Sequence, residues 1–297
     1  MATPKILIYS ATAGYRHESI PTAVEALQSL GTRHGISFEH TEDRNKFQYG
    51  FLEQFDALLF LSNSGEVLDQ DGKDAFQRYL DAGGNYIGVH GASACLFTTN
   101  FYNRTVGALF DYHPPLTNAT VVVTDASHPS TSMLPQRWDV VDEMYNFRSD
   151  PRTYGSKVIL SVDESTYTDD GPRTHDQGSP HPIAWYQERL AGVSSLDRPL
   201  IGRSWYTSLG HLNSTWQDET FLSHVLGGIT WTLQSNTTRA FNSNANVGNT
   251  LQGTLSSSAT ISGATTASIS SPTTNASTAN KSPAILGAIV LALAIFL

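Results

Sequence analysis

A single cysteine, Cys95, stands among the 297 residues, so no disulfide can form within the chain and an apolar core must supply its stability. Basic residues are scarce as well. Eighteen Lys and Arg face 27 Asp and Glu, for a formal net charge of −9. They gather in no cluster or stripe, so the electrostatic footprint of a nucleic-acid binder is missing and nucleic acid is discounted as a partner. Charged residues reach only 15% of the chain, against roughly 25% in ordinary soluble proteins. Ser and Thr fill much of that gap. The opening residues, MATPKILIYS, lack the basic and apolar regions of a secretory signal. No nucleotide cofactor is indicated. Apolar material is present in quantity: the chain is 39% hydrophobic and 10% aromatic, enough to bury a substantial core.

That material is unevenly spread. Residues 4–235 alternate apolar runs with helical patterns. Residues 236–282 are Ser, Thr, Ala, Asn and Gly with almost no aromatics, and cannot bury enough surface to offset their ordering entropy, so they read as a disordered stalk. Residues 283–297 form a tail ending in AILGAIVLALAIFL. Those last 14 residues would make a helix of about 21 Å, where a membrane span takes about 20 residues. A short apolar tail behind a polar spacer predicts a GPI-attachment signal, with small residues at Asn275-Ala276-Ser277 for cleavage, and hence a membrane-anchored protein at the cell surface. Sequons at Asn103, Asn118, Asn213 and Asn236 agree with a glycoprotein; the missing N-terminal signal does not.

Within residues 4–235 the spacing predicts an α/β fold. Lys5 to Tyr9, Ile36 to His40, Ala57 to Leu61 and Tyr86 to Val89 read as strands, alternating with helices over Glu18 to His34 and Asp71 to Ala82. Continuous apolar strands fit a parallel sheet covered on both faces. Beyond Ala119 the chain turns strand-rich, through ATVVVT, WDVVDEMYNF, KVILSV, HPIAWY and LIGRSWYTSLGH, before a last helix over Thr215 to Leu233.

The strongest chemical feature is Gly88-Val89-His90-Gly91-Ala92, between a buried strand and a helical run. Small residues around one functional residue at such a turn make a nucleophile elbow, at the sheet edge where ligands of open α/β folds bind. The central residue is His90, which a following helix N-terminus would keep neutral and able to bind a metal or exchange a proton. A structural histidine in a tight turn fits the same position. A second cluster, Ser10 to Glu18, follows the first strand and offers Arg16 and His17; it also reads as a capped helix start with Glu18 in the first turn. Asp142 and Glu143 are adjacent, so on a strand only one could face a cleft. His211 ends a strand in Gly-His. Cys95 reads as a small core residue, and His175 and His181 as part of a solvated loop. Trp185, Tyr186, Trp205 and Tyr206 could stack on sugars or simply pack.

Taken in order, KILIYSATAGYRHESI, GGNYIGVHGASA, DEMYNF, HPIAWY, GRSWYTSLGH and FLSHVLGGITW resemble the ThuA-like (trehalose utilisation) family over Lys5 to Leu233. The resemblance implies a flavodoxin-like, class I glutamine amidotransferase-like three-layer sandwich, with a mostly parallel sheet and additional strands in the C-terminal half. It implies a link to carbohydrate metabolism, and relatives are associated with 3-keto-sugars. Carried over by position, it implies a polar cleft of His17, His90, Glu143 and His211, either a site for a divalent metal such as zinc or an acid/base set acting on a small-molecule carbohydrate. The stretch QERLAGVSSLDRPLI, residues 187–201, is longer than the family pattern and leaves the place of Arg203 open.

Two functions compete. One is an enzyme acting on a sugar or 3-keto-sugar through His90 and Glu143. The other is a non-catalytic carbohydrate-binding module displayed on a surface. A glutaminase is argued against, because the elbow carries no thiol to form a thioester.

Overall fold

A computed structural model describes residues 3–242 together with Asn244, Ala245 and Val247. The stalk predicted over residues 236–282 does not begin as one: Thr237, Thr238 and Val247 are buried, and the Arg239 N–H donates to Asp56. Its remainder beyond residue 247, the apolar tail and the anchor predicted from it lie outside the described residues. Among the described residues no helix is long and apolar enough to cross a membrane.

The described residues form eleven strands and five α-helices, alternating in the first half and strand-rich in the second. In chain order they are β1 (Lys5–Tyr9), α1 (Ile20–His34), β2 (Ser37–Thr41), α2 (Tyr49–Leu52), β3 (Ala57–Leu61), α3 (Gln70–Asp81), β4 (Asn85–Val89), α4 (Asn100–Val106) and β5 (Phe110–Tyr112). There follow β6 (Thr117–Val123), β7 (Arg137–Asp142), β8 (Asn146–Phe147), β9 (Lys157–Val162), β10 (Pro182–Gln187), β11 (Ser204–Thr207) and α5 (Glu219–Leu233). Nine strands form one sheet in the order β2-β1-β3-β4-β11-β10-β9-β6-β7; β5 and β8 pair as a separate ribbon. The five strands from β2 to β11 run parallel, and the remaining four alternate antiparallel.

Period-2 alternation divides the core between the two faces. Ile6 and Ile8 of β1 and Leu59 of β3 pack against Ala23 and Leu27 of α1 and Val225 and Ile229 of α5. Leu7 and Tyr9, with Leu58 and Phe60, pack against Phe76, Tyr79 and Leu80 of α3 and Tyr102 of α4. With helices on both faces the inner parallel strands are buried, so β3 reads ALLFL without a polar break, while β2, SFEHT at the sheet edge, stays partly exposed. The three-layer α/β sandwich and its added C-terminal strands are as the sequence predicts.

Some local expectations need correction. The helix predicted from Glu18 begins at Ile20, so Glu18 lies outside the first turn, and Ser19 makes no side-chain cap. The run WDVVDEMYNF is not one strand: it stops at Asp142 and resumes as the two-residue β8. Of residues 187–201, Gln187 ends β10 and the rest form a loop against α3, with Arg198 donating to the Asp81 carbonyl and the Gly192 carbonyl accepting from Gln77. Arg203 stacks over Trp231 and donates to its carbonyl. It precedes β11, at the sheet edge opposite His90.

Candidate functional site

Strand direction decides which loops meet. β1, β4 and β11 are parallel, so the segments after Tyr9, Val89 and Thr207 leave the same edge. β7 follows four antiparallel reversals from β11 and therefore points the same way. His17, His90, His211 and Glu143 follow these four strands. One ligating atom from each lies within 4.8 Å of the others.

His90 occupies the bend itself, at φ 54°, a left-handed conformation unusual for a residue with a side chain. Gly91 lets the bend form: a Cβ there would meet the Asn63 carbonyl oxygen at 2.8 Å and the Ser62 backbone at 3.0 Å. Contrary to expectation no α-helix follows, only a short 3₁₀ turn over His90–Ala94. A helix dipole therefore does little here. Complete burial is the main influence holding the His90 imidazole neutral, well below its usual pKa, with His17 adding to it.

The tautomer of His90 follows from its neighbours. Nδ1 lies 2.7 Å from the Ser208 carbonyl, which can only accept, so Nδ1 carries the proton. The lone pair of Nε2 then faces Tyr145 Oη at 3.0 Å, His17 Nε2 at 3.0 Å and Glu143 Oε2 at 3.6 Å. Burial, reinforced by His211, lowers His17 to about 4, so this ring is neutral too. Its Nδ1 makes no hydrogen bond of good geometry, although the Ser62 backbone favours a proton on the ring. With the proton on Nε2, Nδ1 is stranded in the interior. With it on Nδ1, two lone pairs meet at 3.0 Å. Either way a buried nitrogen is left over, which a cation would satisfy.

Glu143 closes the set. Oε2 lies 3.1 Å from His211 Nδ1, and Oε1 lies 3.4 Å from His113 Nε2. Burial pushes its carboxyl up, but His211 and His113 together hold it below the ordinary value. The same contact with Glu143 raises His211. Ligands 2.0–2.1 Å from a tetrahedral ion stand about 3.3 Å apart, and the contacts of 3.0, 3.1 and 3.6 Å bracket that edge. The group could hold a metal ion, and its mix of imidazole and carboxylate suits zinc.

Asp142 holds this arrangement in place from behind. Its carboxylate accepts from the backbone N–H of Gly210 at 2.8 Å, Glu143 at 2.8 Å and His211 at 3.3 Å. Burial raises it to about 6 against the pull of those donors. Glu143 thus faces the cleft while its neighbour ties two ligand-bearing segments together. Asp142→Ala is expected to leave these N–H groups without an acceptor and to cost about 2–4 kcal/mol, read as a lower urea midpoint with unchanged far-UV dichroism.

Other candidates lie elsewhere. Arg16 is paired with Glu42 through both nitrogens, at 2.8 and 2.9 Å. Cys95 is buried and its thiol is pushed up to about 12, which makes it a core residue. His175 sits on the surface against Asp111. His181 is not in solvent: it is buried at the start of β10 and holds the Tyr145 carbonyl at 2.9 Å. Trp185, Tyr186, Trp205 and Tyr206 are all buried, so none is available for stacking on a sugar. Two site residues escaped sequence reasoning. Tyr145 follows Glu143 by two positions in DEMYNF, a spacing that could have flagged it. His113 carries no such signal; the β5–β8 ribbon brings it in.

Known proteins bear on this arrangement. The model of the ThuA family, described as trehalose utilisation, matches residues 5–232. A ThuA-like protein from Bacteroides uniformis superposes with a TM-score of 0.63 at 21% identity, covering 80% of this chain and 95% of that one. A second, from Parabacteroides merdae, gives 0.60 at 16% identity, covering 78% and 91%. These likenesses show the fold. No curated protein matches the chain. From Lys5 to Thr232, the greater part of its length, the chain belongs to the ThuA family.

Proposed function

We propose that the protein is an enzyme of carbohydrate metabolism that acts on a sugar or 3-keto-sugar at the His17/His90/Glu143/His211 centre, with a divalent metal assisting. Membership of a family described as trehalose utilisation supports the carbohydrate role. The observation that carries the chemistry is the fixed tautomer of His90, whose bare Nε2 points at His17 and Glu143.

His17, His90, Glu143 and His211 would hold the metal, with Ser208 orienting His90 through its carbonyl. A bound zinc supplies Lewis-acid polarisation of a carbonyl oxygen. The chain contributes the rest. Tyr145 packs against His90, its ring tilted 32° at 4.8 Å between centroids and its hydroxyl 3.0 Å from Nε2, and so helps to hold the imidazole in place. The Glu143 carboxylate and the His113 imidazole form the open side, where a proton can pass between Oε1 and Nε2. Tyr15, 63% exposed, stands edge-on to His17 and offers a sugar ring an aromatic surface. Burial of Trp185, Tyr186, Trp205 and Tyr206 takes from a purely binding module the aromatic part of its support.

The test is turnover of 3-keto-glycosides by the purified full chain, after chelation and after re-addition of zinc or manganese. Metal-dependent turnover that disappears in His90→Ala is expected. No turnover under any metal, with His90→Ala indistinguishable from the parent, would remove the proposal.

A further inference from the structure

Beside the His/Glu centre runs a groove of about 610 Å³ that the reading above leaves unused. One wall is the turn from residue 112 to residue 117, and the other is the loop 167–171. The volume falls within the roughly 300–1,000 Å³ of small-molecule sites. His113 belongs to both places: it lines the groove, and its Nε2 stands 3.4 Å from Glu143 Oε1. The groove and the centre thus adjoin through the His113 side chain.

The walls are firm and their chemistry is selective. Asp169 accepts from the Gly171 N–H and the Asn146 amide, both at 2.9 Å, and from the Tyr112 hydroxyl at 3.3 Å. The Tyr112 ring lies on the bare backbone of Gly171, where any side chain would collide with it. Tyr112 and Tyr167 supply aromatic surface and Thr117 and Thr168 hydroxyls. Lys and Arg are absent from the lining. The neighbouring Arg173 is committed to Glu164 and Asp169, while Asp170 is exposed on the rim. A phosphate group, with a charge of about −1.5 to −2 at neutral pH, would meet carboxylates and no free cation.

We propose that this groove is a second subsite, which holds a neutral, unphosphorylated glycosyl unit of a disaccharide-sized glycoside while the His/Glu centre acts on the other unit. This rests on the sugar reading above and adds size and charge selection to it.

Calorimetry on the full chain with methyl α-glucoside, trehalose, maltose and trehalose 6-phosphate tests it. At least one disaccharide is expected to bind about tenfold more tightly than methyl α-glucoside, and trehalose about tenfold more tightly than its phosphate. Gly171→Leu, which drives the Tyr112 ring into the groove, should erase the disaccharide advantage and leave methyl α-glucoside binding as it was. Asp170→Arg, at an exposed position that folding tolerates, should narrow the discrimination against the phosphate by about fivefold. Equal affinity for one and two units, or a preference for the phosphate, overturns the subsite and leaves the sugar reading standing. Binding of none of the four also overturns the subsite, and turnover of 3-keto-glycosides then decides the sugar reading by itself.

Discussion

His90→Asn is expected to lower zinc affinity by at least about 100-fold while leaving the protein as stable as before or slightly more so. Outer partners of a metal site alone are worth 10–100-fold, and His90 is a direct candidate ligand at the middle of the set. Its Nε2 is the atom toward which His17, Tyr145 and Glu143 converge. Asparagine is the informative replacement because the position has φ 54°, a conformation that Asn adopts more readily than other residues with side chains. Backbone strain at the elbow therefore falls, and loss of metal cannot be blamed on unfolding. In the parent, zinc at 100 times its dissociation constant should add about 2.7 kcal/mol of stability, and in the variant nearly none at the same concentration. Isothermal titration and metal content after dialysis read the first effect, and thermal unfolding with and without chelator reads the second. A variant that still binds zinc like the parent would show that the imidazole is only a structural prop for the turn.

How far such a site can be read from sequence depends on whether the information is local. β3 is legible residue for residue, because a strand covered on both faces must be apolar throughout. His90 is legible for a related reason: a sharp turn against β3 needs Gly91, and a lone functional residue between small ones stands out. Glu143 could be placed near a sheet edge but not oriented. The strand ends at Asp142 because that carboxylate is taken by backbone N–H groups almost seventy residues away, at Gly210 and His211. No alternation of apolar and polar residues encodes such a tie. His113 was beyond reach altogether, since β5 and β8 are separated by more than thirty residues and pair over only a few. The neutral state of His90 was anticipated for the wrong reason: burial supplies it, and a following helix does not. Tyr15, in the loop after β1, presents the exposed ring beside His17, whereas Trp185, Tyr186, Trp205 and Tyr206 are committed to the core by their place on β10 and β11.

Between pH 6.5 and pH 4 the metal-free protein is expected to lose most of its stability. His128 and His224 are buried outside the ligand set, and His17 is buried within it. Burial is the largest cause of depression in each, and each is lowered to about 4. His224 is locked as a neutral ring, with Nδ1 at 2.8 Å from the Ser130 carbonyl and Nε2 at 3.1 Å from Thr207 Oγ1. A histidine depressed on folding binds its proton first in the unfolded chain, whose pKa is about 6.5. The unfolded state therefore gains protons as the pH falls below 6.5, and stability drops until the folded pKa is reached near 4. Each shift is worth about 3 kcal/mol at its full extent. Asp142 runs the other way: raised to about 6, it takes up a proton sooner in the folded protein and offsets about one histidine. His90, also depressed, adds to the majority. The surplus is comparable with the 5–15 kcal/mol that holds an ordinary domain together. Urea midpoints measured in chelator at pH 7.5, 6, 5 and 4.5 should fall steadily. In His224→Gln the slope should be shallower by about one proton, near 1.4 kcal/mol per pH unit. Midpoints that stay level from pH 7.5 to pH 5 would mean that these rings are already solvated, and that the packing drawn around them is wrong.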